Sequence, residues 1–186
     1  MDIVVDLSNT VLETERLILR PWQENDLEDF YEYACVEGAG EMAGWKHHES
    51  IEVSKKILVS FIAGKNVFAV VYKENSKVIG SVGLHYSWAN EELEYQDLKL
   101  KEIGYVLAKD YWGKGIIPEA VKRVIRFCFD EYGLDALTVE HFSTNNQSRR
   151  TIEKCGFEFV KNSEYYTKQL QKSFDDMKYI LFRKDN

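Results

Sequence analysis

Two glycines, Gly113 and Gly115, lie between an apolar run, Ile103–Ala108, and an amphipathic stretch that starts at Ile116. Lacking a Cβ, either one lets the chain bend sharply and approach a ligand closely. Beyond them, Ile117, Ala120, Val121, Val124, Ile125 and Cys128 recur at spacings of three and four, with Glu119, Lys122, Arg123, Arg126 and Asp130 on the other side. That pattern predicts a helix. Pro118 suits its first turn and Gly133 its end. A strand, a glycine turn and a helix N-terminus together present unpaired N–H groups at the positive end of a helix dipole, which makes a phosphate cradle. Taken alone, the same residues also fit an ordinary strand-to-helix turn. Two other phosphate signatures are excluded. The residues around Gly113-Lys114-Gly115-Ile116 lack the spacing and the Ser/Thr end of a P-loop, and Pro118 stands where the dinucleotide fingerprint needs its third glycine.

Three blocks resemble the GNAT superfamily of N-acetyltransferases, in its ribosomal-protein N-terminal (RimJ/RimL-like) branch. Asp110-Tyr-Trp-Gly-Lys-Gly115 is similar to the family's pyrophosphate loop, Gln/Arg-x-x-Gly-x-Gly/Ala, and departs from it at Asp110. The departure is tolerable because such a loop acts through backbone amides. Asn145-Asn-Gln-Ser-Arg-Arg-Thr-Ile-Glu-Lys-Cys-Gly-Phe157 matches the branch's Asn-x-x-Ser-x-x-x-x-Glu-Lys-x-Gly-Phe, and Leu12–Pro21 resembles its first strand. The resemblance implies acetyl-CoA as co-substrate and direct attack by an amine in a ternary complex. It further implies cofactor contacts from Val106, Leu107, Trp112, Gly113, Lys114, Gly115, Ile116, Ile117, Asn145 and Ser148.

Acetyl transfer needs a neutral amine, a polarised thioester carbonyl and a proton for the leaving thiolate. The strand from Glu102 to Ala108 is expected to splay from its neighbour. Gly104 would then allow a ligand near the backbone, with Glu102 on the same face by strand alternation. Glu102 is read as the base, directly or through water; the other reading is a solvated carboxylate beside Lys99 and Lys101, and the sequence leaves both open. The resemblance implies Ser148 as proton donor to the thiolate, which is compatible with a place in a helix cap. The acceptor is expected between Trp45, Lys46, His47 and His48 on one side and Tyr165 and Tyr166, in a polar connection, on the other. An α-amine near pKa 7.7–8.0 is neutral in about one molecule in seven at pH 7, against about one in 2,500 for lysine. A modest base therefore suits a protein or peptide N-terminus. Small-molecule amines, an acyl-CoA sensor without turnover and an unrelated phosphate-ligand-binding protein are the alternatives.

The elements that must hold these groups follow from periodicity. Strands are expected at Val11–Arg20, Asn66–Tyr72, Lys77–Tyr86, Lys101–Ala108, Ala136–Phe142, Phe157–Lys161 and Lys178–Phe182. Helices are expected from Asp26 to about Val36, from Ser50 to Gly64, after Gly115, and over Gln147–Cys155. The order gives a mixed α+β fold: a strongly twisted sheet of about seven strands with helices on both faces, as in the GNAT fold. One domain over residues 1–186 is expected, with 1–10 as a flexible or edge extension.

A chain of 186 residues with 45% apolar content can bury one good core. A net charge of −7 disfavours general DNA binding and favours cationic acceptors if it lines the cleft. No apolar run reaches membrane-spanning length, and Asp2 and Asp6 do not suit a secretory signal. Cys35, Cys128 and Cys155 show neither metal nor disulfide spacing. No metal is expected, His47 and His48 included, and the cytoplasm is the expected compartment. A homodimer is compatible with the sequence.

Overall fold

A computed structural model describes residues 1–184; the last two, the end of the expected 1–186 unit, lie outside the described residues. The strands are β1 (Leu12–Glu13), β2 (Leu17–Pro21), β3 (Val67–Tyr72), β4 (Lys77–His85), β5 (Leu100–Leu107), β6 (Ala136–Phe142), β7 (Glu158–Thr167) and β8 (Lys172–Phe182). They form one eight-stranded sheet in the order β1-β2-β3-β4-β5-β6-β8-β7. The β5–β6 pair is parallel and all others are antiparallel. The helices are α1 (Leu27–Ala34), α2 (Ile51–Gly64), α3 (Ile116–Asp130) and α4 (Asn146–Lys154). The fold is thus mixed α/β, as expected.

Strand alternation sorts side chains to two cores. Ile103 and Leu107 of β5, with Leu137 and Val139 of β6, meet the apolar stripe of α3, from Ile116 to Cys128, and Ile152 of α4. On the other face Val67, Ala69, Val71 and Val78 pack with Phe30 and Tyr33 of α1 and Leu58 of α2. Residues 1–10 form no helix or strand, yet Val5 and Leu7 are buried in the larger core and the Leu7 N–H donates to the Lys65 carbonyl at 2.8 Å.

The strand count exceeds seven because the expected Val11–Arg20 strand is cut in two. Thr14 turns the chain, its hydroxyl accepting from the Leu17 N–H at 3.0 Å. Asp26 does not cap α1 with its side chain. It is buried against Arg20, with oxygens 2.7 and 2.8 Å from the guanidinium, and accepts from the Gln23 N–H. The largest departure is at the C-terminal hairpin. β7 and β8 run ten and eleven residues where two short strands were expected, and Tyr165 and Tyr166 lie on β7 rather than in a connection. The exposed, charged face of that hairpin has too few apolar residues to show the alternation.

Candidate active site

Parallel pairing between β5 and β6 covers only Leu100, Lys101 and Glu102, against Ala136, Leu137 and Thr138. Beyond Glu102 the strands part: β5 continues along β4 and β6 along β8. The gap opens a cleft of about 810 Å³, lined by Glu102–Leu107, Val139–His141, the loop before α3 and the start of α4. That size is ordinary for a small-molecule or cofactor site. The Ala108 N–H donates to Ile79 of β4 at 2.8 Å, so alternation turns the main-chain groups of Val106 toward β4 as well. Val106 still lines the cleft, and the main-chain groups turned away from β4 are those of Tyr105 and Leu107. The Leu107 carbonyl already accepts from the Trp112 indole at 2.8 Å, so the Trp112 side chain anchors the loop to β5.

At the far end of the cleft Gly113 and Gly115 have φ of 75° and 73°, left-handed values that favour glycine. A Cβ on Gly113 would meet nothing within 4 Å, and one on Gly115 only Arg16 at 3.7 Å. Protein packing does not demand glycine here; backbone conformation does. Among the described residues nothing accepts from the N–H groups of Gly113, Lys114, Gly115, Ile116 or Ile117. Five successive free donors at the N-terminus of a fifteen-residue helix fit an anionic pyrophosphate. Arg16, which the sequence reading left without a role, pins the loop. Its Nη1 donates to the Lys114 carbonyl at 2.9 Å, and its Nε and Nη2 each lie 2.7 Å from Glu119 Oε2.

Glu102 sits where the strands diverge, half-buried. It accepts from Thr138 Oγ1 at 3.3 Å, and the Trp88 N–H also favours its charged form. Burial, opposed by these donors and by Lys178, pushes its carboxyl up to about 7. Across the strand pair from it stands His85, also unforeseen. A Cβ on Gly104 would lie 3.2 Å from the His85 Nε2, and one on Gly83 only 2.3 Å away, so both glycines make room for the imidazole. Loss of water, and then Lys101, lower its pKa.

Ser148 is buried at the start of α4, with its Oγ 2.7 Å from the Tyr105 hydroxyl. Its N–H donates to Asn145 Oδ1 at 3.0 Å. Asn145 is therefore the cap of α4, and its amide also donates to the Met42 carbonyl at 3.2 Å. Tyr105 carries no sequence signal of its own beyond its place on β5.

The expected acceptor cluster does not line the cleft. His48 is buried, its Nδ1 2.7 Å from Ser54 Oγ and its ring edge-on to Phe30. His47 pairs with Glu41 at 2.8 Å. Burial works against the Glu41 carboxylate, but the His47 N–H and ring and the Gly38 N–H hold it at about 2. Trp45 packs on Gly40, where a Cβ would lie 2.2 Å from its ring. Tyr166 is exposed on β7. From this segment it is Gly38, Ala39, Met42 and Ala43 that reach the cleft. The histidines are drawn into local hydrogen bonds that residue type alone does not reveal.

The sequence profile of the acetyltransferase (GNAT) domain matches residues 16–158, and the chain belongs to that family of acetyltransferases. It is 26% identical over 153 residues to the uncharacterised N-acetyltransferase YoaA of Bacillus subtilis, covering 80% of this chain and 82% of that one. The fold is shared with an acetyltransferase of Bacillus anthracis (TM-score 0.80, 19% identity, 93% and 98% of the two chains). It is shared also with the ribosomal-protein-S5-alanine acetyltransferase of Vibrio fischeri (0.72, 20%, 95% and 98%). A further fold neighbour is the microcin C7 self-immunity acetyltransferase MccE, solved with acetyl-CoA and AMP (0.73, 18%, 91% and 94%).

Proposed function

We propose that the protein moves the acetyl group of acetyl-CoA to a primary amine, preferentially the α-amino group of a protein or peptide. The observation that carries this reading is Glu102: a carboxyl raised to about 7 at the mouth of the strand opening, on the cleft that ends in the free N–H groups of Gly113–Ile117. A base near the working pH serves proton transfer best, and an α-amine is the primary amine that loses its proton most readily near neutrality. Bound there, acetyl-CoA supplies the acetyl thioester.

The loop amides of Gly113–Ile117 hold the pyrophosphate, and the groups lining the parted strands flank the pantetheine. Glu102 takes the proton released as the amine nitrogen bonds to the acetyl carbon and the carbon–sulfur bond breaks. Ser148, held by Tyr105, passes a proton to the thiolate and regains one from water. A thiol pKa of ~8.5 makes the thiolate a good leaving group that needs little help, so a weak acid such as a hydroxyl suffices. Cys128 and Cys155 take no part: burial pushes Cys128 up to about 12 and Cys155 to about 11. Three free thiols fit a reducing compartment, which supports the cytoplasm as the site of the reaction. No helix among the described residues is long and apolar enough to cross a membrane.

The test is thiol release from acetyl-CoA against peptide N-termini, polyamines, amino acids and aminoglycosides, with mass spectrometry of peptides carrying both a free N-terminus and an internal lysine. Acetylation at the α-amine is expected. Glu102→Gln should bind acetyl-CoA, turn over about 10²–10⁴-fold more slowly and lose the acidic limb of the pH–rate profile. Modification confined to lysine would reject the α-amine preference, and a normal rate in Glu102→Gln would reject the base.

A further inference from the structure

The sheet face that carries Glu102 carries two more carboxyls. Register and alternation place Glu102 of β5, Thr138 and Glu140 of β6, and Asp176 and Lys178 of β8 on one side, away from α3 and α4. Glu140 lines the same cleft as Glu102. Asp176 stands behind it, 1% exposed, with one oxygen accepting from Ser163 Oγ at 2.9 Å. Its other oxygen, Oδ1, is buried without a hydrogen-bond partner among the described residues. The register sets Asp176 diagonally from Glu140 across the β6–β8 pair, on the same face of the sheet. Two ionised carboxylates offer each other no donor, so a proton or a cation must stand between them.

The surrounding charges do not meet that need. Lys178 is the cation of the group, with its Nζ 3.8 Å from Glu140 Oε2 and 5.4 Å from the centre of the Trp88 ring. Lys161 of β7 is engaged by Glu92, and the Nδ1–H of His141 on β6 donates to the Phe142 carbonyl at 2.7 Å while its Nε2 lies 3.1 Å from the Tyr179 hydroxyl. His85, opposite Glu102, is held below its ordinary pKa and adds no charge near neutrality. Three carboxyls thus face one ammonium in a half-buried place. An ammonium group brings its own N–H donors to carboxylate oxygens that have none, which makes an organic cation the fitting occupant.

We propose that Glu140, backed by Asp176, is a cation subsite of the acceptor cleft that binds a second positive charge of the amine substrate. This rests on Glu102 marking the reacting nitrogen, as argued above. Glu140 lies two residues beyond Thr138, the partner of Glu102. At about 3.3 Å per residue along β6 and about 4.8 Å between strands, the two carboxyl-bearing positions are roughly 8 Å apart. Side chains leaning together across that span fit an ammonium four or five carbons away in a diamine, or a basic side chain on the first residue of a peptide. Burial, and then the charges of Glu102 and Asp176, hold the Glu140 carboxyl up at about 8. At neutral pH the entering cation therefore displaces a proton, and the subsite discriminates against acceptors that cannot replace it.

The decisive experiment is calorimetry on the CoA-saturated protein at pH 7, comparing 1,4-diaminobutane with butylamine, and a Lys-Ala-Ala peptide amide with its norleucine isostere. The dication of at least one pair should bind ten-fold or more tightly than its monocation, with release of a proton to buffer. Glu140→Gln should bring that ratio below about three-fold. Asp176→Asn, which removes the charge from behind, is the second variant and should lower it as well. A preference for the diamine alone assigns the subsite to small amines, and one for the peptide alone to basic N-termini. Equal affinities, no detectable dication binding, or a ratio untouched by both folded variants would overturn the subsite. Acetylation of butylamine and the diamine with equal KM would do the same and leave the proposed reaction standing. Absence of turnover on every amine, with the dication preference intact, would instead overturn the reaction and leave the subsite.

Discussion

Tyr105 and Ser148 join the two walls of the cleft: the phenol on β5 lies 2.7 Å from the Ser148 hydroxyl on α4. Burial raises the Tyr105 pKa, so the phenol keeps its proton and orients the serine. Ser148→Ala should retain acetyl-CoA affinity while kcat falls about 10²–10⁴-fold, the range for a directly acting acid. Tyr105→Phe removes one hydrogen bond, worth about 1 kcal/mol, and should lower kcat by roughly five-fold. Titration of acetyl-CoA beside steady-state kinetics separates the outcomes. Equal loss of affinity and turnover in Ser148→Ala would make the serine a binding residue.

The cradle can be closed by one side chain. Gly115 has φ 73° and open space above it, so Gly115→Val both strains the loop and puts methyl groups where the pyrophosphate is expected. The variant should fold, because no core residue is displaced, and should bind acetyl-CoA at least about a hundred-fold more weakly, roughly two to three kcal/mol. Unchanged affinity in a folded Gly115→Val protein would remove the cradle from the account.

Arg16 tests whether the loop must be held. Its guanidinium bridges the Lys114 carbonyl and Glu119, with Glu119 itself accepting from the Thr14 hydroxyl and the Arg16 N–H. Arg16→Ala should raise the KM for acetyl-CoA by about ten-fold with kcat little changed, the pattern of lost ground-state binding. Arg16→Lys should resemble it, because an ammonium cannot reproduce the fork. A KM within two-fold of the parent in both would make the bridge decorative.

These residues differ in how visible they are before folding. Gly113, Gly115 and the α3 stripe announce themselves because backbone conformation and helical burial both restrict residue type. Strand alternation likewise puts Glu102 on the face of Gly104, since the other face of β5 must be apolar. Arg16, Tyr105 and His85 acquire their surroundings from partners 103, 43 and 17 positions away in sequence, counted to Glu119, Ser148 and Glu102. No local pattern records such pairings. His48 shows the converse: an aromatic, basic cluster looks functional, yet burial beside Ser54 and Phe30 consumes it. Glu140 and Asp176 were hidden among 31 acidic residues, most of them ordinary surface charge.

The carboxyl group of the cleft also predicts how stability follows pH. Burial holds Glu102 at about 7 and Glu140 at about 8 in the folded chain, against about 4.3 for an unperturbed glutamate. The folded state therefore binds more protons than the unfolded chain between those values, and stability falls as pH rises through 7 to 8. It is fully present below about pH 4.5 as far as these groups are concerned. Asp6 and Glu41, held at about 2, act in the opposite sense, but their effect is confined to acid and does not touch this window. Glu140→Gln removes one of the groups that must ionise and leaves a neutral side chain of the same shape. At pH 5.5, only about one unit above the unfolded value, its advantage should be the smaller part of the full effect. At pH 9 it should be more stable by on the order of 1–2 kcal/mol, several degrees in Tm for a chain of this size. Calorimetric melting of both proteins from pH 5.5 to 9 gives the answer: curves that stay parallel across the range would mean that Glu140 titrates as an ordinary surface carboxylate.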